Sequence, residues 1–106
     1  MNRLDTARRY SLFLARNLDS GKLKPEIFLP MLDKVLTEAD FQAFADWDKI
    51  RAEENEEELA RQFRELRRYV VSQIIVRDIN RISDLNEVTR TITLFADFAV
   101  NTALDF

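Results

Sequence analysis

From Glu56 to Ile82 the chain runs without a glycine or proline, and its apolar residues recur every three or four positions. That spacing is the period of a helix with a buried side. With Leu59 at zero and about 100° per residue, Phe63, Leu66 and Val70 lie within about 40° of it, while Arg61, Arg64 and Arg68 lie about 140 to 200° away. Further along, Val71, Ile75, Ile79 and Ile82 fall at about 120 to 200°, where the arginines had been, and Gln73, Arg77 and Arg81 take the line of the first stripe. The pattern predicts one long helix, to Ile82, that buries different sides along its length and carries a polar line at Gln73, Arg77 and Arg81.

The rest of the chain reads the same way. One glycine and two prolines in 106 residues leave too few turn formers for a strand-rich fold. The expected fold is all-α: a helical bundle of about five helices around one long central helix, with residues 1–106 forming a single domain. Leu4, Ala7, Tyr10, Leu14 and Leu18 predict a first helix that stops at Asp19-Ser20-Gly21. Pro25 and Pro30 suggest a loop or single turn followed by a short helix from about Pro30. Thr37 and Asp40 have the spacing of a capping box, opening a helix that carries Phe41, Phe44, Ala45 and Trp47 and ends near Arg51. The acidic run Glu53 to Glu58 fits the N-terminus of the long helix, where carboxylates complement the dipole, with Glu57 and Arg61 spaced for an ion pair. Ser83 or Asp84 would cap a last helix, with Asp84 and Glu87 as a capping pair.

Two features of the final third admit more than one reading. Arg77-Asp78 interrupts a run of Val and Ile, either as a pair at the bundle rim or as a structural ion pair or interdomain contact. Adjacent residues cannot face each other, so Arg77 is expected to reach Asp84, Glu87 or Asp97 on the last helix. On that helix Leu85, Val88, Ile92, Phe95, Ala99 and Ala103 form a stripe about 80° wide, expected to face the core, which puts Leu94 and Phe98 on the back. Either the bundle wraps both sides, or a following domain covers Leu94 and Phe98. In the second case they would promote self-association of the isolated chain.

Reactive chemistry is not visible. The chain has no Cys and no His, so disulfides and thiolate chemistry are excluded, its carboxylates are spread over helix surfaces without the His or Cys support of a metal site, and the Cys-free composition fits a reducing cytoplasm. Ser11, Ser72 and Ser83 have no recognisable base beside them. Gly21 alone cannot form a phosphate-cradling loop. A net charge of -3 argues against a nucleic-acid or anionic-membrane partner, and no apolar run approaches a membrane span. The cluster Arg61, Arg64, Arg67, Arg68 lies among glutamates and reads as a solvated helix face, with an acidic partner as the alternative. No catalytic, cofactor-binding or metal residue is therefore expected.

The stretch "FRELRRYVVSQIIVRDINRISDLNEVTRTITLFADFAVNTAL" resembles the helical segment ahead of the catalytic core in the glutamate-ammonia ligase (glutamine synthetase) adenylyltransferase family. Ile74, Arg77, Asp78 and Ile79 match an element of the type Arg-Ile-x-x-Arg-Asp-Leu. Asp84, Leu85, Glu87, Val88 and Thr89 match the start of the next helix, and Ala96 and Asp97 its Leu-Ala-Asp. Upstream, "YSLFLARNL" and Pro25-Glu26 are similar to the family's Ser-x-Phe helix and its Pro-Glu. Gln73 and Tyr69 depart from arginines common there, and Phe63 from a leucine. The resemblance implies an N-terminal helical piece ahead of a nucleotidyltransferase domain that adds AMP to glutamine synthetase and removes it. ATP and Mg²⁺ would be bound in that downstream domain, and the implied partners are that domain, glutamine synthetase and the PII signal protein. The alternative from another class is a stand-alone helical module that binds a partner helix. A reading frame continuing past Phe106 into a Gly-rich, Asp-x-Asp segment separates the two.

Overall fold

The computed structural model describes Ala7, Arg9, residues 11–82 and residues 84–104, with Ala103 and Leu104 as backbone alone. Among these residues the protein is all-α: α1 Leu12–Asp19, α2 Pro25–Phe28, a 3-10 turn Leu29–Met31, α3 Glu38–Phe44, α4 Trp47–Ala52, α5 Glu56–Ile79 and α6 Leu85–Leu104. Leu4, Tyr10, Ser83 and the side chain of Ala103 lie outside the described residues.

Local chemistry sets most boundaries. Ser11 is extended, at φ -133°, and its hydroxyl accepts from the Leu14 N–H, so a helix starts at Leu12 rather than running through from Leu4. Gly21, at φ +77°, supplies the left-handed residue after α1. Pro25 occupies the first turn of α2, where its missing N–H is no loss. The helical turn therefore begins at Pro25, not Pro30, and tightens into the 3-10 turn instead of opening a new helix. Asp40 accepts from the Thr37 backbone N–H at 2.8 Å and from its hydroxyl at 3.1 Å, opening α3 as the sequence suggests. The expected single helix to Arg51 is two: Ala45 is extended at φ -149°, and Asp46 restarts the chain by accepting from the Lys49 N–H. That break lets the Trp47 indole N–H turn back onto the Phe41 carbonyl at 2.8 Å.

Two junctions end in left-handed residues other than glycine, Glu54 at φ 51° and Arg81 at φ 56°. Both close Schellman motifs, with Asn55 N–H on Ile50 O and Ile82 N–H on Arg77 O. The second stops α5 at Ile79, three residues short of the expected end. Asn55 caps the start of α5, and Glu56, Glu57 and Glu58 fill its first turn as expected.

The long helix α5 sits between two apolar clusters. Leu59, Leu66 and Val70 pack with Leu36, Phe41, Trp47, Ile50 and Phe98 on one side. Tyr69 and Val76 pack with Ala7, Leu14, Leu23, Phe28 and Leu32 on the other, with Ile75 and Ile79 half-buried at its margin. The polar line read at Gln73, Arg77 and Arg81 is corrected here: Gln73 and Arg77 are buried on the continuing first stripe, whereas Ile82 is exposed. Arg77 and Gln73 stay inside because they hydrogen-bond to main-chain carbonyls there.

The inward face of α6 is turned by about 100° from the expectation, so that of the expected stripe Phe95 still packs on Phe41, at a ring-centroid distance of 5.7 Å, while Leu85 and Ile92 do not reach the core. Phe98 is 3% exposed, while Leu85, Ile92 and Val100 are 79%, 54% and 57% exposed. Phe98 meets Trp47, Phe41 and Phe63 at ring-centroid distances of 5.4, 5.6 and 6.2 Å, and Leu94 packs half-buried against the same cluster. One large ring surrounded by three others outweighs several smaller apolar residues in choosing the inward face. Leu94 and Phe98 are thus part of the intramolecular core and cannot drive self-association. Among the described residues nothing packs over Leu85, Ile92 and Val100, so that side of α6 is open.

Denaturant unfolding separates the two faces of α6. Phe98→Ala is expected to cost about 3–5 kcal/mol. Ile92→Ala, on the open side, should cost no more than about 0.5 kcal/mol beyond any change in helix propensity. Equal losses would show that the helix is rotated from this position.

Candidate functional site

The most constrained polar group in the protein is the Arg77 guanidinium. It projects from the last turn of α5 and is buried at 6% exposure. Its Nε and Nη2 donate to the two carboxylate oxygens of Glu87 at 3.0 and 2.8 Å, and its Nη1 donates to the Leu32 carbonyl at 2.8 Å. Of the three carboxylates expected as partners, Glu87 is the one used. Asp84 places it: its carboxylate accepts from the Glu87 N–H at 2.8 Å, starting α6 so that Glu87 faces α5. Glu87 therefore does not fold back on the cap as in a capping box, because its side chain is held across the interface. The hydrogen bonds that Arg77 donates to Glu87 raise the Arg77 pKa, against the opposing effect of burial, with the charges of Glu87 and Asp33 adding to the rise.

One turn earlier on α5, Gln73 continues the same line. Its amide donates to Lys34 O at 2.9 Å and to Met31 O at 3.3 Å. Tyr69, a further turn back, accepts the Lys24 N–H at its hydroxyl at 3.0 Å. Residues 24 to 34 thus hang from α5 by side-chain bonds to main-chain groups that no helix satisfies. Arg77 ties this segment and α6 to one point. The sequence pointed to Arg77 but missed Gln73. A buried amide serving carbonyls some 40 residues away leaves no periodic signal.

The other candidates fall elsewhere. Asp78 is exposed and has no side-chain partner among the described residues. Ser72 is buried, and its hydroxyl has no hydrogen-bond partner among the described residues. In the arginine cluster, Arg61 pairs with Glu58 at 2.6 Å and Glu65 at 3.2 Å, rather than with Glu57. Hydrogen bonds from Arg61 and Gln62 lower the Glu58 carboxyl to a pKa of about 2. Arg68 lines an open cleft of about 520 Å³ with Lys22, Lys24 and Tyr69. Arg64 and Arg67 make no ion pair among the described residues. They flank a groove of about 410 Å³ between α5 and α6, floored by Phe63, Phe95, Ala99 and Val100.

None of this is reactive chemistry. Among the described residues no group of three or more Asp or Glu side chains could hold a metal ion, and no helix is long and apolar enough to cross a membrane. What the arrangement can do is mechanical: fix the angle between the two longest helices and present a surface.

A family model described as glutamate-ammonia ligase adenylyltransferase matches residues 4–106. The chain is 95% identical over 105 residues to a bifunctional glutamine synthetase adenylyltransferase/adenylyl-removing enzyme of Neisseria meningitidis serogroup A, covering 99% of this chain and 12% of the relative. The serogroup B counterpart is 94% identical over the same share. A Chromobacterium violaceum relative of the same description is 46% identical over 65 residues, 61% of this chain and 7% of the relative. The chain thus spans 12% of the length of the two Neisseria relatives. No solved structure matches it.

Two measurements test the polar contacts. In a double-mutant cycle, Arg77→Met alone should cost about 1–3 kcal/mol, since it strands the Glu87 carboxylate and the Leu32 carbonyl, and Glu87→Gln should cost less once Arg77 is gone. Independent effects would show that the pair is not coupled. For Glu58, a folded pKa below the ordinary value of about 4.3 means stabilisation that is present above about pH 4 and fades as pH falls towards 2. A side-chain NMR titration should give a midpoint near 2, returning towards the ordinary value in Arg61→Gln.

Proposed function

The chain belongs to the glutamate-ammonia ligase adenylyltransferase family, and from that premise we propose that it is the N-terminal helical part of a bifunctional enzyme that attaches AMP to glutamine synthetase and removes it. The observation that carries this reading is near-identity along the whole chain to two relatives so described. In this reading residues 1–106 are one helical domain ahead of a nucleotidyltransferase domain, in a cytoplasmic protein whose partners include glutamine synthetase and the PII signal protein. ATP and Mg²⁺ belong to the nucleotidyltransferase domain. The described residues of this chain do not fit them, having no candidate metal cluster and only one glycine, so no step of nucleotidyl transfer is assigned to this chain. Its own part is to hold two long helices rigidly at the Arg77–Glu87 contact and so to buttress the nucleotidyltransferase domain.

The test uses a polypeptide of the relatives' full length with this sequence at its N-terminus. It should transfer labelled AMP from ATP to glutamine synthetase and release it again when phosphate is supplied. Residues 1–106 alone should do neither and should give no saturable heat with ATP and Mg²⁺. A full-length polypeptide that leaves glutamine synthetase unlabelled would refute the reading.

A further inference from the structure

One flank of α6 carries large apolar residues that its own chain leaves exposed, Leu85, Ile92 and Val100, next to Phe95 and Ala99, which are half-covered by the core. With Phe98 at zero, the inward residues Thr91, Leu94 and Thr102 lie within about 40° of it. Phe95, Ala99, Ile92, Leu85 and Ala96 then sweep from about 60° to about 160°, and beyond them Thr89, Thr93, Asn86, Asp97, Arg90 and Asn101 form a polar arc from about 180° to about 300°, broken by Val100 at about 200°. The anomaly is the flank between the core side and that polar arc, where Leu85 and Ile92 are large, apolar and exposed to water. The stripe is continuous with the groove floored by Phe63, and a groove lined almost wholly by carbon is not what a surface left to solvent presents.

We propose that this face is the docking surface for a later segment of the same polypeptide, one that offers apolar side chains to the stripe and carboxylates to Arg64 and Arg67. The inference rests on the family reading, under which the chain is a small part of a longer protein. Three observations select this occupant. The first is length: the chain spans 12% of the two Neisseria relatives, so most of such a polypeptide is available to cover the face. The second is exposure: among the described residues nothing covers Leu85, Ile92 or Val100, which stay more than half exposed. The third is charge. Arg61 is neutralised by Glu58 and Glu65, but Arg64 and Arg67 stand at the rim of the groove without a carboxylate among the described residues. A second copy of this chain would bring the same uncompensated arginines to the same rim, and like charges across an interface disfavour it.

Absence of cysteine in this chain gives a clean probe. Ile92→Cys and Val100→Cys are made separately, with Asp97→Cys on the polar side as control, both in residues 1–106 and in the full-length polypeptide. Modification by a small maleimide is followed by mass spectrometry of the labelled peptide. The expected result is rapid labelling at all three positions in the short chain, and labelling at least tenfold slower at 92 and 100, but not at 97, in the long one. Equal rates in both would overturn the proposal. Slow labelling already in the short chain, with sedimentation at twice the monomer mass, would overturn it in favour of pairing between copies. If a substitution prevents the long polypeptide from folding, hydroxyl-radical footprinting of the unsubstituted protein reads the same face, and undiminished oxidation of the peptide around Phe95 would count against it. Protection at 92 and 100 without AMP transfer would uphold the face while refuting the assigned activity, and transfer without protection would do the reverse.

Discussion

The Leu32 carbonyl is buried, and those of Met31 and Lys34 are partly so, with no helix to satisfy them, and the architecture follows from how they are met. A buried carbonyl without a donor costs on the order of 1–3 kcal/mol. Gln73 and Arg77, one turn apart on α5, supply the donors. Once Arg77 is inside it must be neutralised, and the carboxylate that does so comes from the first turn of α6. The irregular segment thereby fixes the register of the long helix, and the long helix fixes the last one. A lysine at position 77 could not reproduce this, because a point charge has no planar fork to hold Glu87 from two nitrogens while reaching Leu32 with a third.

How much of this was legible in the residues depended on range. Interactions within one turn were readable: Asp40 on Thr37, Gly21 after the first described helix, glutamates at the start of α5, Asp84 ahead of α6. Breaks at Ser11 and Ala45 were not, because a serine or alanine inside an apolar pattern is compatible with helix, and what decides is whether the next turn packs better after a bend. The Trp47 indole bonded to Phe41 is such a gain, visible only in three dimensions.

Periodicity found both stripes of α6 but centred the inward one about 100° away from Phe98, keeping only its edge, Phe95, on the core. A helical wheel reports where apolar residues lie; it says nothing about which stripe a neighbour can fill. Phe98 takes the inward place because Trp47, Phe41 and Phe63 already converge there from three other helices. Gln73 and Arg77 failed the same rule from the other side, since counting polar residues as outward is valid only when the interior has no acceptors to offer. The family resemblance drawn from residues 63 to 104 was sound even though the faces were misassigned, because resemblance depends on residue order and not on orientation.

The bonds from Tyr69, Gln73 and Arg77 to residues 24 to 34 span 39 to 45 positions of sequence. During synthesis the apolar side of the first third, with Leu14, Leu23 and Phe28, emerges from the ribosome well before the helix that will cover it. At about 5–20 residues per second, 45 residues take about 2–9 s. For that interval the nascent chain displays an apolar surface with no mate, and its early segment is open to wrong contacts before it is part of a domain.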